Sequence, residues 1–179
     1  GNGRVGAWTS STSFPTERHE HTSVVYNGYV YIIGGYSSGF LDDVQFAPIN
    51  ANGTVGAWIA TTSFPAARNR HASVVYNGYL YVIGGYNGTA LNDVQYAPIN
   101  AEATVGAWTG TTSFTTARYD HASVVYNGYL YVIGGGGYPN DVQYAPINAD
   151  GTIGAWTATT SFATLRYGHT SVAQNGYLY

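Results

Sequence analysis

The stretch HASVVYNGYLYVIGG occurs at His71–Gly85 and again, unchanged, at His121–Gly135. A near copy, HTSVVYNGYVYIIGG, fills His21–Gly35, and a shorter one, HTSVAQNGYLY, runs from His169 to Tyr179. Ser73–Tyr76 is a short apolar, β-branched run that leads straight into Asn77-Gly78, and Tyr79–Gly85 returns in the same style. Asn-Gly between two such runs is the strongest short-range sign of a type I′ hairpin, because both turn residues need φ > 0. Each copy therefore reads as two antiparallel strands, the second ended by its glycine pair.

Outward from this hairpin, Asp93–Asn100 (DVQYAPIN) reads as a third strand. Pro98 lacks an N–H donor and places that strand away from the sheet centre. After a turn at Ala101–Ala103, Thr104–Gly110 (TVGAWTG) reads as a fourth strand carrying Trp108. No segment keeps a helical apolar period over ten residues, so the chain is all-β. The unit repeats: Trp8, Trp58, Trp108 and Trp156 are spaced by 50, 50 and 48 residues. Arg18, Arg68, Arg118 and Arg166 keep that rhythm, each three residues before His21, His71, His121 and His169. The last period is shorter because the loop after the glycine pair shrinks to Gly136–Pro139. A four-stranded unit of this size cannot bury both faces alone, and radial stacking of such units is the β-propeller solution.

Composition narrows the function. Only 8% of the 179 residues are charged, all six basic residues are arginine, and aromatics reach 16%. Such a chain is not disordered, which needs low hydrophobicity and high charge. A net charge of −3 excludes a nucleic-acid partner, which would need a basic patch. No apolar run approaches the ~18–20 residues of a membrane-spanning helix. With no cysteine there is no disulfide framework or thiolate metal site. The Tyr/Thr/Ser/Asn/Gly-rich, lysine-free character points to a secreted or cell-surface setting.

The period, the glycine pair after the second strand, the tyrosines and the tryptophan of the fourth strand together resemble the kelch repeat, over nearly the whole chain. The resemblance implies a kelch-type propeller, or an arc of one, with the strand equivalent to Ser73–Tyr76 lining the central channel. Residues 1–20 would be the fourth strand (Arg4–Ser10) and loop of a partial blade. Residues 21–70, 71–120 and 121–168 would be full repeats, and 169–179 the first two strands of an incomplete blade. Such an arc needs further blades, supplied by a longer chain or by a second copy that closes a ring head to tail.

Residues that recur in every copy read as structural. His21, His71, His121 and His169 are expected to make a repeated hydrogen bond between blades rather than a metal site. Trp8, Trp58, Trp108 and Trp156 are structural repeat residues in the same sense. Asp43, Asp93 and Asp141 fit a turn or packing role. What differs between copies carries function, since sites on repeat scaffolds sit in loops. By the resemblance, the loops before the first strand and after the second open on one face. The ligand-contact candidates there are Arg18, His19, Glu20, Tyr36, Arg68, Arg70, Tyr86, Arg118, Tyr119, Asp120, Tyr138, Arg166 and Tyr167. Around a concavity they suit a protein or carbohydrate ligand. His19, Glu20 and Asp120 are the non-repeated acid–base candidates on these loops, and no nucleophile accompanies them. Kelch-type copper oxidases with a Tyr–Cys cofactor are excluded by the missing cysteine. The expectation is a non-enzymatic recognition module without cofactor or metal. A purely architectural or engineered repeat scaffold is the alternative, and a fragment of a larger kelch-type enzyme the second.

Overall fold

The computed structural model describes residues 5–137 and 140–179. Its regular structure is β throughout, in three four-stranded antiparallel sheets and a final hairpin. The first blade comprises β1 (Thr22–Tyr26), β2 (Tyr29–Tyr36), β3 (Phe40–Pro48) and β4 (Ile59–Thr61). The second comprises β5 (Ala72–Tyr76), β6 (Tyr79–Tyr86), β7 (Ala90–Pro98) and β8 (Thr109–Thr111). The third comprises β9 (Ala122–Tyr126), β10 (Tyr129–Ile133), β11 (Val142–Pro146) and β12 (Thr157–Thr159). The hairpin is β13 (Ala173–Gln174) and β14 (Tyr177–Leu178). Within each blade the strands follow chain order, while the first strands β1, β5, β9 and β13 stand side by side at the inner edge. This is an open propeller arc.

The Asn-Gly turns behave as their chemistry demands. Asn77 and Gly78 take φ of 48° and 78°, and the other three copies repeat this. In the first two blades the glycine pair does not end the second strand, whereas β10 stops at Ile133, just before it. β6 runs through Gly84 and Gly85 to Tyr86, with a register shift between Ile83 and Gly85. Its φ values are 53° and 103°, and a Cβ on Gly84 would meet Phe114 at 2.9 Å and the Arg118 carbonyl at 3.0 Å. The pair is a bulge that lets the following link press against the strand.

The third and fourth strands also differ from the sequence reading. β7 begins at Ala90, so the stretch after the glycine pair is mostly strand around a tight turn. It is an interior strand, and Pro98 is tolerated because it stands at its last residue, beyond the Val94–Tyr96 segment that pairs with β8. β8 begins only after Trp108. Val105, placed in that strand by sequence, instead makes a single bridge with Ile99. Residues 5–10 form no strand, and Trp8 is 92% exposed.

The core lies between blades. Tyr31, Ile33 and Val44 of the first pack with Leu80, Val82, Phe64 and Val105. Tyr81, Ile83 and Val94 of the second pack with Leu130, Val132, Phe114 and Ile153. Burying such side chains contributes about 1.5–3 kcal/mol each. The Tyr31 and Tyr81 hydroxyls donate to the Ala103 and Gly151 carbonyls, both at 2.9 Å, and so join one blade to the turn of the next.

The expected inter-blade histidine bond is made once rather than repeatedly. Thr22 Oγ1 shares a 2.8 Å hydrogen bond with His71 Nε2 and a 2.6 Å bond with Ser73 Oγ. In the next blade pair Ala72 occupies the position of Thr22. Both ring nitrogens of His121 and the Ser123 hydroxyl are then buried without a protein partner. Leaving such groups unsatisfied costs about 1–3 kcal/mol each. Ala72→Thr is therefore expected to raise stability by about 1–2 kcal/mol, read as a higher urea midpoint, because one hydroxyl serves both groups.

Candidate recognition face

Strand direction brings two sets of loops to one end of the blades. The β2–β3 turn and the link that enters each blade meet there, in bridges His19–Tyr36, Asn69–Tyr86 and Tyr119–Gly136. The Asn-Gly turns lie at the opposite end.

Three of the links are anchored by their arginine. The Arg68 backbone bonds to the first blade: its N–H donates to the Leu41 carbonyl at 3.0 Å and its carbonyl accepts from Gly35 at 2.9 Å. Its side chain points into the second blade, where Nη1 and Nη2 donate to the two Asp93 oxygens at 2.6 and 2.9 Å and Nη1 also to the Gly84 carbonyl. Arg18–Asp43 and Arg118–Asp141 are built alike. Burial alone would raise these carboxyls, but the bonds from arginine and from Gln45, Gln95 or Gln143 hold them below their ordinary value.

The residue two places after each arginine forms the inner row of the face. Glu20, Arg70 and Asp120 adopt φ of 55°, 54° and 52°, and Gly168 takes 65°. For the three that are not glycine this left-handed backbone costs about 1–2 kcal/mol. A backbone ladder runs along them: Arg70 N–H to Glu20 O at 3.0 Å, Asp120 to Arg70 at 2.9 Å, Gly168 to Asp120 at 2.8 Å. The side chains follow the same line, with Arg70 Nη2 2.8 Å from Glu20 Oε1 and Nη1 3.8 Å from Asp120. The hydrogen bond from Arg70 holds the Glu20 carboxyl below its ordinary value. Burial pushes Asp120 up, against the pull of Arg70.

Outside this charged row lies a belt of rings. His19 meets Tyr36 at 5.5 Å, Tyr36 meets Phe40 at 5.3 Å, Phe40 meets Tyr86 at 6.1 Å, and Tyr86 meets Tyr119 at 5.5 Å. The Arg70 guanidinium lies 5.7 Å from the Tyr119 ring centre and joins belt to row. Three clefts open here, one of about 480 Å³ among Glu17, Arg18, His19, Ser37 and Ser38. One of about 390 Å³ is lined by His19, Glu20, Tyr36, Asn69, Arg70 and Tyr119 among others. Another, about 530 Å³, lies among Arg70, Tyr119, Asp120, Arg166 and Tyr167.

A family model described as the KLHDC2/KLHL20/DRC7 Kelch-repeats domain matches residues 4–135, well over half of the chain. The chain belongs to the kelch-repeat family. No curated protein matches it. Kelch-repeat domains are generally interaction modules that bind protein partners rather than enzymes.

Against this kelch scaffold the sequence candidates separate into two groups. His19, Glu20, Tyr36, Arg70, Tyr86, Tyr119 and Asp120 are brought together on the face, with Tyr167 beside them at 73% exposure. Arg18, Arg68 and Arg118 have side chains at most 1% exposed that fork onto aspartate, and Arg18 also borders a cleft with Glu17, His19, Ser37 and Ser38. Arg166 lines the larger cleft, its guanidinium 4.8 Å from the Phe162 ring centre. Tyr138 lies outside the described residues. Sequence reasoning missed Phe40, which completes the belt, and Asn69, whose amide donates to Glu20 at 2.6 Å. Phe40 carried a faint signal, since the aligned position in the next repeat is Ala90.

Proposed function

We propose that this kelch arc is a non-enzymatic recognition module whose loop face binds an extended segment of a partner protein. The observation that carries the reading is the unbroken belt from His19 to Tyr119 running beside the Glu20–Arg70–Asp120 row. A peptide offers both kinds of complement at that spacing, apolar side chains for ring edges and charges for an acid–base–acid row. Aromatic and arginine side chains are the residue types that carry most binding energy at interfaces. The left-handed backbone at Glu20, Arg70 and Asp120 supports the same reading, because strain of this kind gathers at ligand clamps. A glycan stacking on the tyrosines is the runner-up.

The test begins by panning a random peptide display library, and in parallel a glycan array, against the chain. Hydrogen exchange of the best complex should show protection at residues 19–20, 36–40, 69–70, 86–90 and 119–120. Protection confined to the Asn-Gly turns at the other end of the blades would sink the reading, and a glycan as the sole binder would transfer the face to carbohydrate.

A further inference from the structure

The segment Val-Gly-Ala-Trp or its Ile variant is seated the same way three times. Val55 N–H donates to Ser11 Oγ at 2.6 Å, Thr12 Oγ1 donates to the Val55 carbonyl at 2.7 Å, and Trp58 Nε1 donates to the Thr12 carbonyl at 3.1 Å. The Trp58 ring stands edge-on to Phe14 at 6.0 Å. Val105 and Trp108 repeat this on Thr61, Thr62 and Phe64, at 2.8, 2.6, 3.0 and 5.8 Å. Ile153 and Trp156 repeat it on Thr111, Thr112 and Phe114, at 2.8, 2.6, 2.9 and 5.7 Å.

A fourth segment and a fourth seat exist, and they do not meet. Val5–Trp8 has the same sequence as Val55–Trp58, yet Val5 is 79% and Trp8 92% exposed. Thr159, Thr160 and Phe162 stand where Thr111, Thr112 and Phe114 stand one repeat earlier. They open into a cleft of about 750 Å³ that Ile133, Val142 and Leu178 also line. The segment cannot reach this seat within its own chain, because Ser11 and Thr12 are bonded to Val55 of the first blade, at the other end of the arc.

We infer that Val5–Trp8 of a second copy occupies the Thr159–Phe162 seat, head to tail, so that two copies close one ring. The occupant continues an interface already made three times in this chain, with the same donors, acceptors and ring pair. Each joint builds a composite blade from the β13–β14 hairpin of one copy and Val5–Trp8 of the other. A head-to-tail contact that closes on itself forms such a ring rather than a fibre. Closure also extends the backbone ladder. The N–H of Glu20 and the carbonyl of Gly168 make no backbone bond among the described residues, and the joint brings Glu20 of the second copy to Gly168. Its carboxylate then borders the 530 Å³ cleft at Arg166 and Tyr167, so that cleft is completed by the second copy. The inference stands whether or not the face binds a peptide.

Light scattering after gel filtration tests it on the 179-residue chain. The wild type is expected at twice 19.1 kDa over a wide concentration range. Trp8→Ala, at an exposed position, keeps its circular dichroism but runs at 19.1 kDa, its dimer dissociation constant raised at least ~30-fold. Phe162→Ala loses the dimer from the other side. Mixing the two variants restores a species of twice the chain mass, because one joint of the pair then has both an intact tryptophan and an intact seat. A monomeric wild type, a Trp8→Ala protein that still dimerises, or a mixture that stays monomeric each overturns the inference.

Discussion

Arg68→Ala is expected to destabilise the chain by about 3 kcal/mol. Breaking a buried ion pair by removing one partner costs about 3–5 kcal/mol, because the other charge stays behind uncompensated. The Asp93 side chain keeps 31% exposure, so water screens part of that penalty and the lower end applies. The substitution also strips the Gly84 and Ala66 carbonyls of their donors. It uncouples two blades, since the Arg68 backbone belongs to one and its side chain to the other. In urea the midpoint should fall by about 1.5 M, taking a denaturant slope of ~2 kcal/mol/M. Arg68→Lys should recover little of this, because an ammonium cannot make the forked contact with both oxygens. A loss below ~1 kcal/mol would show that the clamp is not what holds the links. Arg166→Ala serves as the internal comparison: among the described residues it faces no aspartate, and it should cost well under half as much.

The second large effect is acid sensitivity. His71 and His121 are buried against neighbouring arginines, and burial foremost depresses both to about 3. In the unfolded chain each takes up a proton near pH 6.5. The unfolded state therefore binds more protons than the folded one between pH 6.5 and about 3, and stability falls as pH is lowered through that window. Each histidine contributes up to ~1.4 kcal/mol per pH unit, so the two together remove about 4 kcal/mol between pH 7.5 and pH 5. The clamp carboxylates act in the same direction but only below about pH 4, where their unfolded forms take up protons. Across pH 7.5 to 5 His21 and His169, which burial also depresses, add to this loss, and the raised Asp120 works against it. His121→Phe keeps a ring against Phe114 and should remove about 2 kcal/mol of the loss, the share of one histidine. A pH-independent midpoint over this range would contradict the burial of these imidazoles.

The repeat and the hairpins were legible because their causes are local: Asn-Gly needs nothing beyond its own φ angles, and a 50-residue period can be counted. The strand limits were not, because they are set by groups far away in sequence. Val105 leaves the β7–β8 ladder because the hydroxyls of Thr61 and Thr62 hold its backbone. The glycine pair is a bulge only because Phe114 and Arg118 of the next link press on it. Arginine and aspartate both kept the rhythm of the repeat, yet nothing in their separation shows that guanidinium forks onto carboxylate rather than facing solvent. On the face, the variable residues Glu20, Arg70 and Asp120 were readable as exceptions to the repeat. That they form one row, joined to a belt that includes Phe40, follows from the stacking of blades.

The central claim is that this row and belt are one binding surface. The most direct measurement is calorimetric titration of the best panned peptide into the wild type, Tyr119→Ala and Arg70→Ala. Both side chains lie on the surface rather than in the core, and circular dichroism verifies that the folds persist. If the face is the site, each truncation weakens binding by roughly 10- to 30-fold, the range of an interface hot spot. Unchanged affinity in both variants would contradict it.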